Sequence, residues 1–170
     1  MVTPRLETLC TALAQVLIAR KLSMVTAESC TGGLIAASCT QLSGSSAWFE
    51  RGFVTYSNAA KSELLGVAAS LIEAQGAVSE EVAKAMALGA LAHSPAHISV
   101  AVTGIAGPTG GSEAKPVGTV WLAWAWRDSK QGIQCETALR HFQGSRAEVR
   151  YTTAELALDH LIKVTAKAVA

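Results

Sequence analysis

The start of the chain places an apolar side chain at every third or fourth position, which is the spacing of an amphipathic helix. Thr3 is a favourable N-cap residue, and Pro4 suits the first helical position, where a missing N–H costs nothing. The pattern therefore predicts a first helix that runs to about Ala19, with an apolar face formed by Leu6, Leu9, Leu13, Val16 and Leu17.

Short apolar segments and further helical patterns alternate along the rest of the chain. The segment 117–126 is apolar on both faces, so we expect a central strand that is covered on both sides. Ser145 and Glu148 match a capping box, which predicts a last helix reaching nearly to the C-terminus. Strands are expected at 24–27, 52–56, 98–103, 117–126 and 133–142, and further helices at 33–42, from about Asn58, and from Ser79 to before Pro95.

This order of elements predicts an α/β protein. Helices before, between and after the strands favour a three-layer α/β/α sandwich with a central mixed sheet of about five strands. The sequence contains no linker, repeat or low-complexity tract, so we expect a single domain over residues 1–170.

Composition and charge exclude several classes of function. The formal net charge is +1, which provides no basic field for nucleic acid. The apolar segments are far shorter than the roughly 20 residues that a membrane span needs, and the first residues do not resemble a secretory signal. The four cysteines form no CxxC pair, and no Cys/His spacing resembles a metal site. We therefore expect a cytoplasmic protein with reduced thiols and no nucleic-acid partner, membrane partner, metal or cofactor.

The first candidate site is the stretch 28–33, which reads Glu-Ser-Cys-Thr-Gly-Gly and joins a predicted strand to a predicted helix. A side chain at such a junction lies beside unpaired backbone N–H groups, which suit an anion or a developing oxyanion. Gly32 and Gly33 would let a ligand approach the backbone closely. The same residues are also typical of a capped helix start, and on this stretch alone that interpretation is favoured because N-cap serines are common.

Cys30 is the competing nucleophile, because a helix N-terminus can lower the pKa of a thiol. A catalytic thiol normally has a basic partner such as histidine, and none of the four histidines lies in a loop of catalytic character. We interpret Cys30 as a packed small residue, and as structural or surface residues His93, His97, His141 and His160.

The second candidate site is the strand–helix junction 52–61, where Tyr56, Asn58 and Lys61 would lie near one rim of the sheet. A lysine beside a serine can act as its base if burial keeps the amine neutral. The alternative is a solvated lysine, although a cation is poorly placed in the first turn of a helix.

Two further stretches suit an anion. The loop 103–118 is rich in glycine and can direct many backbone N–H groups toward one ligand, although it matches neither a Walker A loop nor G-x-G-x-x-G. Arg146 falls in the first turn of the last predicted helix, where a guanidinium can bind phosphate. A plain connection and a surface arginine remain the alternatives.

Taken together and in this order, these stretches resemble the C-terminal domain family of the competence/damage-inducible protein CinA. The resemblance covers nearly the whole chain. It is carried by Ala27-Glu-Ser-Cys-Thr-Gly-Gly33, by Gly44-Ser-Ser-Ala-Trp-Phe-Glu-Arg-Gly-Phe-Val-Thr-Tyr-Ser-Asn58 with Lys61, and by Gly76-Ala-Val-Ser79, Thr103-Gly-Ile-Ala-Gly-Pro108 and Lys115-Pro-Val-Gly-Thr-Val120.

The resemblance implies a cytoplasmic amidohydrolase of pyridine-nucleotide salvage, which converts nicotinamide mononucleotide to nicotinic acid mononucleotide and ammonia without a cofactor. It implies that Ser29 is the nucleophile, that Lys61 is its base and that Tyr56 assists. Arg146 would meet the phosphate. The residues expected to bind substrate are Cys30, Thr31, Gly32, Gly33, Asn58, Thr103, Gly104, Gly107 and Arg146.

Two other functions stay open. A non-catalytic nucleotide-binding module in competence or DNA-damage responses would keep the glycine loop and Arg146 but would not need Ser29 and Lys61. An amidase with the same chemistry could act on another carboxamide. The sequence also leaves open a homodimer, because Trp48, Phe49 and the segment 121–126 offer apolar surface that core packing explains equally well.

Overall fold

The computed structural model describes residues 3–168, which form six helices and five strands. The strands are β1 (Met24–Glu28), β2 (Phe49–Val54), β3 (Ile98–Gly104), β4 (Thr119–Asp128) and β5 (Gly132–His141). The helices are α1 (Pro4–Arg20), α2 (Leu34–Thr40), α3 (Asn58–Leu65), α4 (Ala69–Gln75), α5 (Glu80–Ala92) and α6 (Arg146–Thr165), and a short 3₁₀ helix spans Ser45–Ala47.

The five strands form one mixed sheet in the order β2-β1-β3-β4-β5. β2, β1 and β3 run parallel, whereas β4 pairs antiparallel with both β3 and β5. One apolar cluster joins α1, α2 and α6 to one face of the sheet, and a second cluster joins α3, α4 and α5 to the other face. The predicted three-layer α/β/α sandwich with a mixed five-stranded sheet is therefore confirmed.

β4 is buried on both faces, as its continuous apolar sequence predicts. Leu122 and Trp124 pack in the α1/α2/α6 layer, whereas Ala123 and Ala125, with the partly buried Trp121, pack in the α3/α4/α5 layer. Trp48, Trp124 and Trp126 are almost completely buried, so core packing accounts for these aromatic residues.

The predicted helix caps are confirmed at both ends of the chain. Thr3 accepts a hydrogen bond from the backbone N–H of Leu6, and Ser145 and Glu148 form the reciprocal capping box. α3 begins at Asn58, as predicted, and its N-cap is Ser57, whose hydroxyl accepts from the N–H of Ala60.

Three details differ from the predicted elements. α4 was not predicted, because its seven residues carry no side-chain cap and bury only Ile72. β2 begins before and ends before the predicted strand 52–56, since it pairs with β1 from Phe49 to Val54. α2 is shorter than the predicted helix 33–42, because Gly33 takes a left-handed conformation as its N-cap.

The parallel strands β1, β2 and β3 end at the same edge of the sheet. In open α/β sheets, ligands bind outside this carboxyl edge. The segments that follow the three strands begin at Ser29, Thr55 and Ile105, which places the predicted stretches next to one another.

Candidate active site

Ser29 is the first residue after β1 and lies at the carboxyl edge of the sheet. Its backbone N–H donates to the carbonyl oxygen of Val102 on β3, and its side chain is held in a site where the residue is only 8% exposed. Residues 30–33 then form a turn before α2, and Gly32 and Gly33 have positive φ angles of 59° and 90°. The turn therefore brings the Ser29 hydroxyl into a fixed position at the start of the junction.

Lys61 lies in the first turn of α3, and its side chain extends under the carboxyl edge of the sheet. Its Nζ is 3.1 Å from the Oγ of Ser29, 3.0 Å from the carbonyl oxygen of Thr55 and 3.5 Å from that of Tyr56. The residue is 1% exposed. The structure thus brings together the two side chains that the sequence paired as nucleophile and base.

Burial lowers the pKa of Lys61, because the charged ammonium is more costly to desolvate than the neutral amine. Among the described residues, no carboxylate forms an ion pair with it. A neutral amine can donate its two hydrogens to the carbonyls of Thr55 and Tyr56 and turn its lone pair to the Ser29 hydroxyl. The geometry therefore suits a base for the serine.

Cys30 is a poor alternative nucleophile in this structure. It is buried, and desolvation raises the pKa of its thiol to about 12, so the reactive thiolate is scarce at neutral pH. Each histidine has a hydrogen-bond partner away from Ser29, namely Gly89 for His93, Ser23 for His97, Thr119 for His141 and Glu136 for His160.

A cavity of about 240 Å³ opens above Ser29 and Lys61. Its lining includes predicted residues from all four stretches, which are Ser29, Cys30, Tyr56, Asn58, Lys61, Thr103, Gly104 and Arg146. Ala77, Val78 and Ala106 complete the lining. Ala77 and Val78 belong to the stretch 76–79, whose only signal in the sequence is its place in the family pattern.

Arg146 joins two sides of the cavity mouth. Its guanidinium donates to the hydroxyl of Tyr56 over 3.0 Å and to the carbonyl oxygen of Gly107 over 2.9 Å. Two terminal N–H groups remain on the guanidinium beyond those used by these bonds, so the group can bind an additional anion. Tyr56 itself is 60% exposed, which places its ring at the opening.

Thr103 and Asn58 line the cavity in different ways. The hydroxyl of Thr103 donates to the carbonyl oxygen of Ala77 over 2.8 Å, which fixes the wall of the cavity and leaves the oxygen free to accept. The side-chain amide of Asn58 has no partner within residues 3–168, so it is available to a ligand.

Four predicted binding residues lie beside the cavity instead of in its lining. Gly107 contacts Arg146 through its carbonyl oxygen, and Thr31 contacts Arg150 in the same way. A side chain on Gly32 would point to Arg150, and one on Gly33 would point to Val54. None of the four is in the lining, so their role in binding stays a prediction.

The capping of α2 differs from the serine or threonine cap considered for this stretch. Neither a serine nor a threonine caps α2; instead, the carboxylate of Glu28 accepts from the N–H groups of Ile35 and Ala36. The N–H groups that have no oxygen acceptor among the described residues belong to the turn itself, at Cys30, Thr31 and Gly33. Neither Glu28 nor Arg150 was given a role from the sequence, because nothing in the residues themselves signals a contact to Thr31.

Within residues 3–168, no helix is long and apolar enough to cross a membrane, and no group of three or more His, Cys, Asp or Glu residues could hold a metal ion.

Comparison with known proteins identifies the family. The model of the CinA C-terminal domain matches residues 6–165. A protein named nicotinamide-nucleotide amidohydrolase PncC from Enterobacter agglomerans is 50% identical over 159 residues, which cover 94% of both chains. One of the same name from Pseudomonas putida is 51% identical over 159 residues, covering 94% of this chain and 96% of the relative. The crystal structure of the competence/damage inducible protein CihA from Agrobacterium tumefaciens superposes with a TM-score of 0.88 at 44% identity, covering 96% of this chain and 98% of that one. The chain belongs to the CinA C-terminal domain family.

Proposed function

We propose that this protein hydrolyses the carboxamide of nicotinamide mononucleotide to nicotinic acid mononucleotide and ammonia, as a step of pyridine-nucleotide salvage. The observation that carries the proposal is the buried Lys61 amine, 3.1 Å from the Ser29 hydroxyl and without a carboxylate partner among the described residues. The names of relatives about 50% identical support the substrate.

In the first step, Lys61 acts as a general base. The lone pair of its neutral amine takes the proton of the Ser29 hydroxyl while Oγ attacks the carboxamide carbon. The negative charge on the former carbonyl oxygen meets the free N–H groups of the turn 30–33, where removing one donor typically costs about 10²–10³ in rate. Lys61 then returns the proton to the amide nitrogen, the C–N bond breaks and ammonia leaves.

In the second step, water hydrolyses the nicotinoyl ester. Lys61 takes a proton from the water, hydroxide adds to the ester carbon, and the proton returns to Ser29 as its bond to carbon breaks. The pyridinium charge of the substrate helps twice: it makes the carbonyl carbon more electrophilic, and it disfavours a second cation at Lys61.

The two side chains at the cavity mouth would bind the other end of the substrate. Arg146 keeps N–H groups for a phosphate and is already fixed by Tyr56 and Gly107. Tyr56 assists by fixing this guanidinium through its hydroxyl. Asn58 offers a free amide to the ribose or the carboxamide.

The proposal is tested by measuring ammonia release from nicotinamide mononucleotide. The variant Ser29→Ala is expected to lose activity with its thermal unfolding nearly unchanged, because it removes one hydroxyl and keeps the backbone hydrogen bond from Ser29 to Val102. The matched variant Cys30→Ala is expected to keep releasing ammonia, since its thiol is protonated at neutral pH. Activity in Ser29→Ala but not in Cys30→Ala would transfer the nucleophile to the thiol.

The non-catalytic nucleotide-binding module remains the second candidate function. Arg146 and the glycine loop are compatible with it, but it gives no reason to bury a lysine beside a serine. Binding of the nucleotide without ammonia release by the wild-type protein would favour this candidate. Turnover of free nicotinamide as fast as the nucleotide would instead indicate an amidase with another substrate.

A further inference from the structure

We propose that Glu28 and Arg150 are positioning residues that hold Thr31 from two sides, so that the free N–H groups of the turn 30–33 face the reacting carbonyl oxygen. The inference rests on the proposed function of Ser29 and assigns roles to two residues that do not line the cavity. Its basis is the set of contacts around Thr31.

Glu28 grips the turn from the sheet. Its carboxylate is buried, at 1% exposure, and accepts from the Thr31 hydroxyl over 2.7 Å, from the N–H of Ile35 over 3.0 Å and from that of Ala36 over 2.8 Å. These three donors satisfy the buried carboxyl oxygens and tie the turn to the start of α2. Glu28 therefore occupies the helix terminus, and the oxyanion must find its donors in the turn.

Arg150 grips the same residue from α6. Its terminal nitrogen donates to the carbonyl oxygen of Thr31 over 2.6 Å. A Cβ on Gly32 would lie 3.7 Å from that nitrogen, so the glycine leaves room for the guanidinium beside the turn. Arg150 lies one helical turn after Arg146 on α6. The same helix therefore places one cation at the cavity mouth, at Arg146, and a second cation beside the turn that follows Ser29, at Arg150.

Holding the Arg150 guanidinium in this position costs free energy. The Nε–H of Arg150 is buried and has no hydrogen-bond partner within the described structure. A buried, unsatisfied donor typically costs about 1–3 kcal/mol and calls for an explanation. Fixing the carbonyl of Thr31 supplies one, because that bond sets the orientation of the peptide between Thr31 and Gly32.

The hydrogen bonds from Glu28 and Arg150 to Thr31 leave specific backbone N–H groups of the turn for the substrate. Within the turn, the N–H of Gly32 donates to the carbonyl of Ser29. Among residues 3–168, the N–H groups of Cys30, Thr31 and Gly33 have no oxygen acceptor, and that of Cys30 approaches its own thiol sulfur, a weak acceptor. The N–H of the residue after a nucleophile is a common oxyanion donor. Because Thr31 is fixed both at its hydroxyl and at its carbonyl, the peptide groups on either side of it are held in one orientation, with their N–H groups directed as the turn requires.

The test compares Thr31→Val and Arg150→Met with two matched variants. Thr31→Val keeps the shape of the side chain but removes the bond to Glu28, and Thr31→Ser restores the hydroxyl. We expect Thr31→Val and Arg150→Met to lower kcat about 10- to 100-fold with an unchanged KM for the nucleotide, because displacements near 1 Å can cost about 10² in rate. Thr31→Ser recovers most of the loss, and Lys163→Met, an exposed cation on the same helix, leaves kcat unchanged.

A second readout separates positioning from simple destabilisation. Pyridine-3-boronic acid forms a tetrahedral adduct with an active-site serine and places an oxygen at the oxyanion donors. Its affinity should fall by the same factor as kcat in Thr31→Val and Arg150→Met, while the affinity for nicotinic acid mononucleotide and the pH midpoint of activity stay constant.

The outcomes distinguish this inference from the proposed function. If kcat and boronate affinity are unchanged in Thr31→Val and Arg150→Met, or if they fall only with the fraction of folded protein, the positioning role is wrong. If the wild-type protein releases no ammonia, the proposed function is wrong, and the boronate affinities still decide whether Glu28 and Arg150 position the turn through Thr31.

Discussion

Lys61 lies in a position that disfavours its charged form. An ammonium in the first turn of a helix opposes the helix dipole, and burial adds a desolvation cost. The described structure offers it two carbonyl oxygens and a hydroxyl but no negative charge. The surroundings therefore shift the equilibrium toward the neutral amine, which is the form that can take a proton from Ser29.

This environment predicts a particular pH dependence of catalysis. Because burial lowers the pKa of Lys61, kcat/KM should rise with pH and reach half of its maximum below the ordinary lysine value of about 10.4. Protonation at lower pH removes the base, so activity falls on the acid side.

Two variants test the assignment of this titration. Lys61→Arg should lose at least about 10² in kcat, within the range of general-base effects, because a guanidinium stays protonated throughout. Lys61→Met should lose a similar factor and also the rising limb. A pH profile in Lys61→Met with the wild-type midpoint would assign the titration to another group.

At the scale of elements, the position of Lys61 depends on how closely α3 packs against α5. A Cβ added to Gly89 on α5 would lie 2.1 Å from the carbonyl oxygen of Leu65, which is the last residue of α3. Only glycine allows this approach, because any Cβ would meet backbone that cannot rotate away. The absence of a side chain at Gly89 thus allows α3 to lie close to α5, and this packing fixes where α3 places Lys61.

Gly89→Ala is therefore expected to displace α3. Overpacking typically costs about 1–3 kcal/mol, whereas the better helix propensity of alanine returns at most about 1 kcal/mol. We expect a lower free energy of unfolding in urea and a kcat reduced about tenfold or more per folded molecule, since Lys61 moves with its helix. Lys84→Ala, an exposed change on α5, is the control. Full kcat in Gly89→Ala would show that Lys61 does not depend on this packing.

How far the elements could be predicted from the sequence depended on whether their signals are local. The caps at Thr3 and Ser145 were predicted, and so was β4, which is apolar on both faces, because the signal for each lies in residues that are close together in the sequence. α4 was missed, since a short helix without a side-chain cap is defined by what it packs against.

The same distinction holds for the candidate site. The proximity of Ser29 and Lys61 could be inferred from two strand ends and a family pattern. The roles of Glu28 and Arg150 could not be inferred, because they depend on contacts to Thr31 that only the folded chain shows. The contact between Arg150 and Thr31 joins residues 119 positions apart.

For the whole molecule, the sandwich brings together groups from distant parts of the chain. Ser29 follows β1, Lys61 follows β2, Thr103 is the last residue but one of β3, and Arg146 begins the helix α6 of the opposite layer. Both layers of helices therefore contribute to one cavity, with Lys61 from the α3/α4/α5 side and Arg146 from the α1/α2/α6 side. A ligand that contacts both should stabilise the fold as a whole.

The product nicotinic acid mononucleotide provides a measure of that stabilisation. At a concentration 100-fold above its Kd, binding adds about 2.7 kcal/mol, which corresponds to a Tm increase of about 5–10 °C for a chain of this size. A hydrogen bond to a charged group contributes about 1.5–3 kcal/mol, so Arg146→Met should lose at least half of the increase at the same concentration. Arg140→Met, which removes an exposed arginine from β5, should keep it. Nicotinate, which has no phosphate, should not distinguish Arg146→Met from the wild type. Equal shifts with the nucleotide in all three proteins would mean that the phosphate binds elsewhere and that the two helical layers are not joined through Arg146.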